Sequence, residues 1–284
     1  MLARIKTYAS FVRFSHSVFA LPFALIGALL AARRHPVGWD RVFWIVVAMV
    51  AARSAAMGFN RLIDARLDAL NPRTSGREIP RGLVSRRGAS LFVTVSAVAF
   101  VWAASRLSLL CLALSPVALA IVFWYSLAKR YTPYTQAFLG LAMAVAPVGG
   151  WLAAGGAWGL EPFLLGLAIG SWVAGFDVLY ACQDLGFDRD HGLRSIPERF
   201  GVRHALGISR LLHVATIASL ASLYWAVPLG RLYLPGVGLI AILLAYEQSL
   251  VSEHDLSQIE RAFDLNGYVG ILYLLITAVS IYVP

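Results

Sequence analysis

Two runs of oxygen-bearing side chains share one stride: Asn60, Asp64 and Asp68 in NRLIDARLD, and Asp177, Tyr180, Asp184 and Asp188 in DVLYACQDLGFD. Residues four and eight apart on a helix lie nearly above one another, so Asn60, Asp64 and Asp68 form a polar stripe about two turns long. Tyr180, Asp184 and Asp188 repeat that spacing, and Asp177 extends the second stripe deeper. Oxygen donors without His or Cys suit a hard cation, and Mg²⁺ takes one or two carboxylates together with water and substrate phosphate. Two facing clusters of this kind would hold ions that bridge a diphosphate. Arginines follow each cluster, Arg73, Arg77 and Arg81 in NPRTSGREIPRG, then Arg189 and Arg194 in GFDRDHGLRSIPERFG. Guanidinium groups can neutralise the oxygens that the metals leave uncovered. A third segment, WYSLAKRYTPYTQ, adds Tyr125, Lys129 and Arg130.

The chain that must position these groups is built for lipid. It has 284 residues, 59% hydrophobic and only 14% charged, with a mean hydropathy of +0.72, far too apolar for a soluble domain of this length. An ionisable group in or beside a membrane span costs on the order of a few kcal/mol, so carboxylates here are read as functional unless they are merely solvated helix ends. Apolar stretches are centred on 14–32, 42–59, 91–104, 107–125, 138–154, 163–182, 214–229, 233–250 and 268–283. They predict about nine spans, an all-α multispanning membrane helix bundle forming one integral-membrane domain over 1–284. Two connections of about 20 residues, 65–88 and 185–204, are longer than the rest, follow the two acidic clusters and are expected to cap the site. The helices leading into them are the second and the sixth, which run in the same direction and bring both clusters to one membrane face. This pattern predicts two parallel four-helix repeats plus one helix.

Charge orients the bundle. The net charge of +9 gathers before the first span (Arg4, Lys6, Arg13) and in the acid-following connections. The positive-inside rule makes that side cytoplasmic, with the N-terminus inside and the C-terminus on the opposite side. Arg33, Arg34 and Arg41 run against it. The opening apolar stretch is long and lacks a small-residue cleavage site, so it reads as a retained helix. Cys111 and Cys182 lie in apolar segments without C-x-x-C spacing and read as small core residues. No basic soluble domain exists to bind nucleic acid, and no obligate protein partner is evident; the lipid bilayer is the expected surround.

Asn-x3-Asp-x3-Asp continuing into NPRT-x2-R-x-IP-x-G, then YSLAKRYT, then D-x2-YA-x2-D-x3-D, resembles the UbiA superfamily of intramembrane aromatic prenyltransferases over nearly the whole chain. RFSHSVFALPFALIGALLA resembles the first helix of its quinone-pathway members, the 4-hydroxybenzoate polyprenyltransferase-like group. The resemblance implies Mg²⁺-dependent transfer of a polyprenyl group from polyprenyl diphosphate to an aromatic acceptor in a bacterial-type inner membrane. The first helix and NPRT loop favour a hydroxylated aromatic carboxylate, 4-hydroxybenzoate or a dihydroxynaphthoate, of ubiquinone or menaquinone synthesis. Carried over residue by residue, Asn60, Asp64, Asp68, Asp184 and Asp188 become the metal and diphosphate ligands, and Arg73, Arg77, Lys129 and Arg130 the diphosphate partners.

C–O cleavage would leave an allylic cation, which ring faces such as those of Tyr125 and Tyr180 can stabilise. Asp177 orients the acceptor, or receives its proton, or supports the metal shell. Arg13, His16 and Arg130 are the candidates for an acceptor carboxylate. Arg61 departs from the family pattern, in which an acid often follows Asn60, and this puts the number of acidic ligands at the first site in question. A transporter or proton-coupled carrier is the alternative class, but its acids tend to lie near the bilayer midplane on broken helices.

Overall fold

The computed structural model describes residues 7, 8, 10–12, 14–33 and 36–283, with side chains described from 21 onward in the first helix. Arg4, Lys6, Arg13, Arg34 and the side chain of His16 therefore lie outside the described residues. All regular elements among the described residues are helical: α1 Phe14–Ala31, α2 Trp39–Leu70, α3 Arg86–Leu107, α4 Leu109–Ala128, α5 Thr135–Ala153, α6 Leu160–Ala181, α7 Leu185–Asp190, α8 Ile196–Ala226, α9 Tyr233–Ser249 and α10 Ile259–Tyr282. Seven helical segments, counting α6 and α7 as one, are long and apolar enough to cross a bilayer, which makes the chain an integral membrane protein. The other two expected spans form shorter apolar helices: Leu21–Ala31 in α1, and α9 with 17 residues.

Helices reach further into the two long connections than hydropathy suggests. α2 continues for 32 residues through Leu70, so the whole first acidic stripe is helical. It stops where Asn71 precedes Pro72, a position that disfavours helical geometry. Asn71 is extended, with φ −88 and ψ 119, and its Oδ1 accepts the Arg73 N–H at 2.9 Å. The second stripe is interrupted. After α6 the chain winds through a 3₁₀ turn, Cys182–Asp184, before α7, and the tighter winding offsets Asp184 and Asp188 from a straight stripe. α8 then starts inside the expected 185–204 connection, because Ser195 caps it by accepting the Glu198 N–H at 3.3 Å and Pro197 suits the first turn.

The central helix α6 packs against α5, α8 and α10, while α1 lies on α5 and α10 and α2 on α3. Exposed Leu91, Val95, Val98 and Trp102 recur at helical spacing along α3, forming a lipid-facing stripe. Where α1 crosses α5, Gly27 faces the carbonyl of Pro147 and Gly150 faces that of Ala24, so that a Cβ on either glycine would overlap backbone. Small residues allow this approach, and close packing is what joins helices in a solvent as apolar as their side chains. At the end remote from the acids, Arg33 donates to the carbonyls of Pro228 at 3.2 Å and Ile281 at 3.0 Å. It satisfies a carbonyl in the last turn of α10 and one just beyond the end of α8, which accounts for a basic residue at this end of the bundle. Cys111 and Cys182 are both free thiols.

Candidate active site

α2 aims its acids at a cluster of cations. Asp64 is 2% exposed; its Oδ1 accepts Arg130 Nη2 at 2.8 Å, and its Oδ2 accepts Lys129 Nζ at 2.7 Å and Asn60 Nδ2 at 3.1 Å. Arg130 also donates to the carbonyls of Ser126 at 3.0 Å and Ile63 at 3.2 Å, so the end of α4 is pinned to α2. One turn further along, Asp68 Oδ1 accepts Arg77 Nη1 at 2.6 Å, while Thr74 Oγ1 bonds the Asp68 carbonyl at 3.2 Å. The connection that follows α2 thus folds back over the stripe it leaves.

The same connection reaches the second motif. Arg73 lies across Asp184, with Nη2 to Oδ2 at 2.6 Å and Nε to Oδ1 at 3.3 Å, and its Nη1 donates to the Tyr180 hydroxyl at 3.0 Å. Its guanidinium carbon stands 5.3 Å from the Tyr180 ring centroid. Arg73 also feels the charge of Asp68, and Lys129 that of Asp188, so the cations are shared by the two motifs. Burial lowers the Arg73 pKa, yet Asp184 and Tyr180 together raise it above its ordinary value. Asp188 Oδ2 accepts the Ser195 hydroxyl at 2.9 Å, which ties the motif to the cap of α8.

Arg194 is used structurally. Its N–H donates to the Lys129 carbonyl at 2.8 Å and its Nη1 to the Tyr131 carbonyl at 2.6 Å, fastening the third motif to the second. Arg81 and Arg189 are exposed, and their hydrogen bonds among the described residues are main-chain ones that close the local turns. Asp177 is partly buried one turn below Tyr180 and lies within the fields of Asp184 and Arg73. Tyr125 sits in the fields of Arg53, Asp64 and Asp177. Of the residues expected from sequence, only the Arg13 and His16 side chains cannot be located in this arrangement, since they fall outside the described residues.

Below the acids lies an apolar cavity of about 390 Å³, lined mainly by α2 to α5 with Ala24 of α1 and Trp158, and with Tyr125 and Arg53 among its few polar residues. Sequence reasoning overlooked Arg53. Its signal was present, because it is the sole charge in the apolar run 42–59, seven residues before Asn60 and hence on the same helix face. Its Nε is buried without a hydrogen-bond partner among the described residues.

As a metal site the donors are oxygens only, which suits Mg²⁺. Asp68 Oδ2 is buried with no partner among the described residues, leaving an acceptor open to a cation. Among the described residues no three Asp, Glu, His or Cys side chains form a ready-made metal centre.

The family model for the UbiA prenyltransferase family matches residues 20–275. The 4-hydroxybenzoate octaprenyltransferase of Vibrio parahaemolyticus is 30% identical over 271 residues, 95% of each chain, and that of Aeromonas salmonicida is 33% identical over 244 residues, 86% of this chain and 83% of the relative. Among solved structures, a UbiA homologue from Aeropyrum pernix superposes with a TM-score of 0.86 at 35% identity, over 93% of this chain and 98% of the other. A UbiA homologue from Archaeoglobus fulgidus bound to GPP and Mg²⁺ shares the fold with a TM-score of 0.73 at 18% identity, over 98% of this chain and 100% of that one. The order of the three motifs, the cations clamped on their acids and these relationships together establish that the chain belongs to the UbiA prenyltransferase family.

Proposed function

We propose that the protein transfers a polyprenyl group from polyprenyl diphosphate to a hydroxylated aromatic carboxylate, 4-hydroxybenzoate or a dihydroxynaphthoate, in quinone biosynthesis. The observation that carries this reading is a cluster of paired carboxylates and cations next to an apolar cavity lined by Arg53 and by Tyr125, the latter within the field of Asp64. Anionic and apolar parts of one donor fit these two environments, and Arg53 offers a charge partner for the acceptor.

Asn60, Asp64, Asp68, Asp184 and Asp188 are the residues that would hold Mg²⁺. When it is bound, the chemistry it supplies is neutralisation of charge on the departing diphosphate. Arg73, Arg77, Lys129 and Arg130 bind and orient the diphosphate oxygens. Apolar walls exclude water from the allylic cation left by C–O cleavage, and the Tyr125 and Tyr180 rings present their faces to it. Arg53 holds the acceptor carboxylate so that the activated ring carbon attacks the prenyl carbon, and Asp177 receives the ring proton as aromaticity returns. The bundle is read as nine spans in two parallel repeats plus one helix, with the acids and the chain start on the cytoplasmic side; the basic connections support this orientation.

Purified protein reconstituted with Mg²⁺, a polyprenyl diphosphate series and a panel of aromatic acceptors tests the reading. Mass spectrometry should find a carbon-prenylated hydroxybenzoate or naphthoate, formed only with Mg²⁺. Absence of any prenylated product across the panel would remove it.

A further inference from the structure

Arg77 and Glu78 are neighbours whose side chains diverge. Arg77 turns inward onto Asp68 at 2.6 Å, while Glu78, 9% exposed, turns away and its Oε1 accepts the Ser10 hydroxyl at 2.6 Å. The Glu78 carbonyl also closes the turn beyond it, accepting the N–H groups of Leu83 at 2.9 Å and Val84 at 3.2 Å. Gly82 takes a positive φ of 71° within that turn. Glu78 is thus fixed by main chain on one side and by a distant segment on the other.

That segment is itself anchored. Tyr8 stacks on Phe92 with centroids 5.4 Å apart, and Phe11 meets Phe92 edge-on at 5.9 Å. Phe11 and Val12 form one buried cluster with Val84 and Ala89, flanked by Met57, Leu62 and Ile79. The Phe11 carbonyl lies 3.5 Å from Arg61 Nε. Arg61, which sequence flagged as a departure in the metal motif, is 4% exposed and contacts this segment from the flank of the acidic stripe. An aromatic clasp therefore spans α2, α3 and the loop that carries Arg73 and Arg77, and Ser10 to Glu78 is a polar contact with that loop among the described residues.

We infer that Glu78, held by Ser10, is a positioning residue that presets Arg77 and Arg73 for the donor diphosphate. The inference rests on the prenyl-transfer reading. Presetting matters because a free guanidinium loses side-chain entropy each time it captures an anion, and a loop already in place avoids that loss. Glu78 touches no reacting atom, so its effect should fall on donor binding and spare the acceptor.

The test uses full-length protein in lipid nanodiscs with Mg²⁺ and a non-hydrolysable prenyl thiodiphosphate, with affinity measured by calorimetry and KM measured separately for donor and acceptor. Ser10→Ala and Glu78→Leu should each weaken thiodiphosphate binding and raise donor KM by roughly tenfold, the scale of one hydrogen bond to a charged group. Acceptor KM should stay unchanged. Ser10→Thr and Glu78→Gln keep the hydroxyl donor or the carbonyl acceptor and should restore donor affinity, a rescue that a purely structural role would not give. Because Ser10 is exposed, its alanine variant should fold even where Glu78→Leu does not. Donor affinity unchanged in Ser10→Ala, or equal losses for donor and acceptor, would overturn the inference and leave the prenyl-transfer reading standing. Wild-type protein that binds no prenyl thiodiphosphate would remove both.

Discussion

Asp64 shows how a carboxylate survives beside hydrocarbon: both of its oxygens are taken, by Lys129, Arg130 and Asn60. Removing its charge leaves two cations facing a neutral amide and takes away one of the anionic oxygens proposed to hold Mg²⁺. Asp64→Asn should therefore lower Mg²⁺-dependent transfer by about 10²–10³-fold, the size of losing one preorganised electrostatic contact in a closed site. Circular dichroism should show an unchanged helix content; wild-type turnover would count against the metal and diphosphate role. Arg53 allows a sharper test, because it lines a cavity with few other polar groups and its Nε is buried without a hydrogen-bond partner among the described residues. Arg53→Met keeps the length of the side chain and deletes the charge. We expect kcat/KM for a carboxylated acceptor to fall by roughly 10- to 150-fold, about 1.5–3 kcal/mol for one charged hydrogen-bonding contact. A neutral analogue of the same ring should lose far less. Equal losses for both acceptors would assign Arg53 to packing.

At the scale of elements, the site depends on helix crossings that tolerate no side chain. Gly150 on α5 faces the Ala24 carbonyl of α1, so Gly150→Ala must push the helices apart or bend one of them. Overpacking of this kind costs about 1–3 kcal/mol, and the thermal midpoint in detergent should drop accordingly; an unchanged midpoint would show that α1 can shift freely on α5. Much at this scale was legible. The stride of Asn60, Asp64 and Asp68 named a helical stripe, and α2 carries all three on one continuous helix. Less legible was the 3₁₀ turn at Cys182–Asp184, because spacing alone does not report a change of winding. The start of α8 was missed through hydropathy, although Ser195, Pro197 and Glu198 spell a helix start in their side chains. Arg53 was masked by the apolar run around it. Burial in lipid and burial in protein look alike in composition, so hydropathy does not tell which face of α2 lines a cavity.

Taken as a whole, the molecule divides its labour unevenly. The helices α2 to α5 enclose a cavity walled by small residues, among them Ala52, Ala56, Ala118, Ala142 and Ala146. The α6, α8, α9 and α10 side is instead filled and laced with buried polar contacts. Trp172 Nε1 donates to Asn266 Oδ1 at 2.7 Å, Asn266 Nδ2 donates to Glu247 Oε1 at 3.1 Å, and Gln248 Nε2 bonds Ser209 Oγ at 2.7 Å. One side is thus suited to hold an apolar chain and the other to stay rigid while bearing Asp177, Asp184 and Asp188. Ala146→Phe fills part of the cavity without touching the acids, so it should lower kcat/KM for long-chain donors relative to short ones by roughly tenfold, within the 1–3 kcal/mol range of overpacking. Thiodiphosphate headgroup binding should persist. Asn266→Leu is the complementary change, stranding the Trp172 N–H and the Glu247 carboxyl at a cost of about 1–3 kcal/mol each. It should lower the melting temperature while leaving donor-length preference intact. If Ala146→Phe leaves the preference untouched, or Asn266→Leu alters it, the prenyl chain does not occupy the α2 to α5 cavity and the two halves do not divide the work in this way.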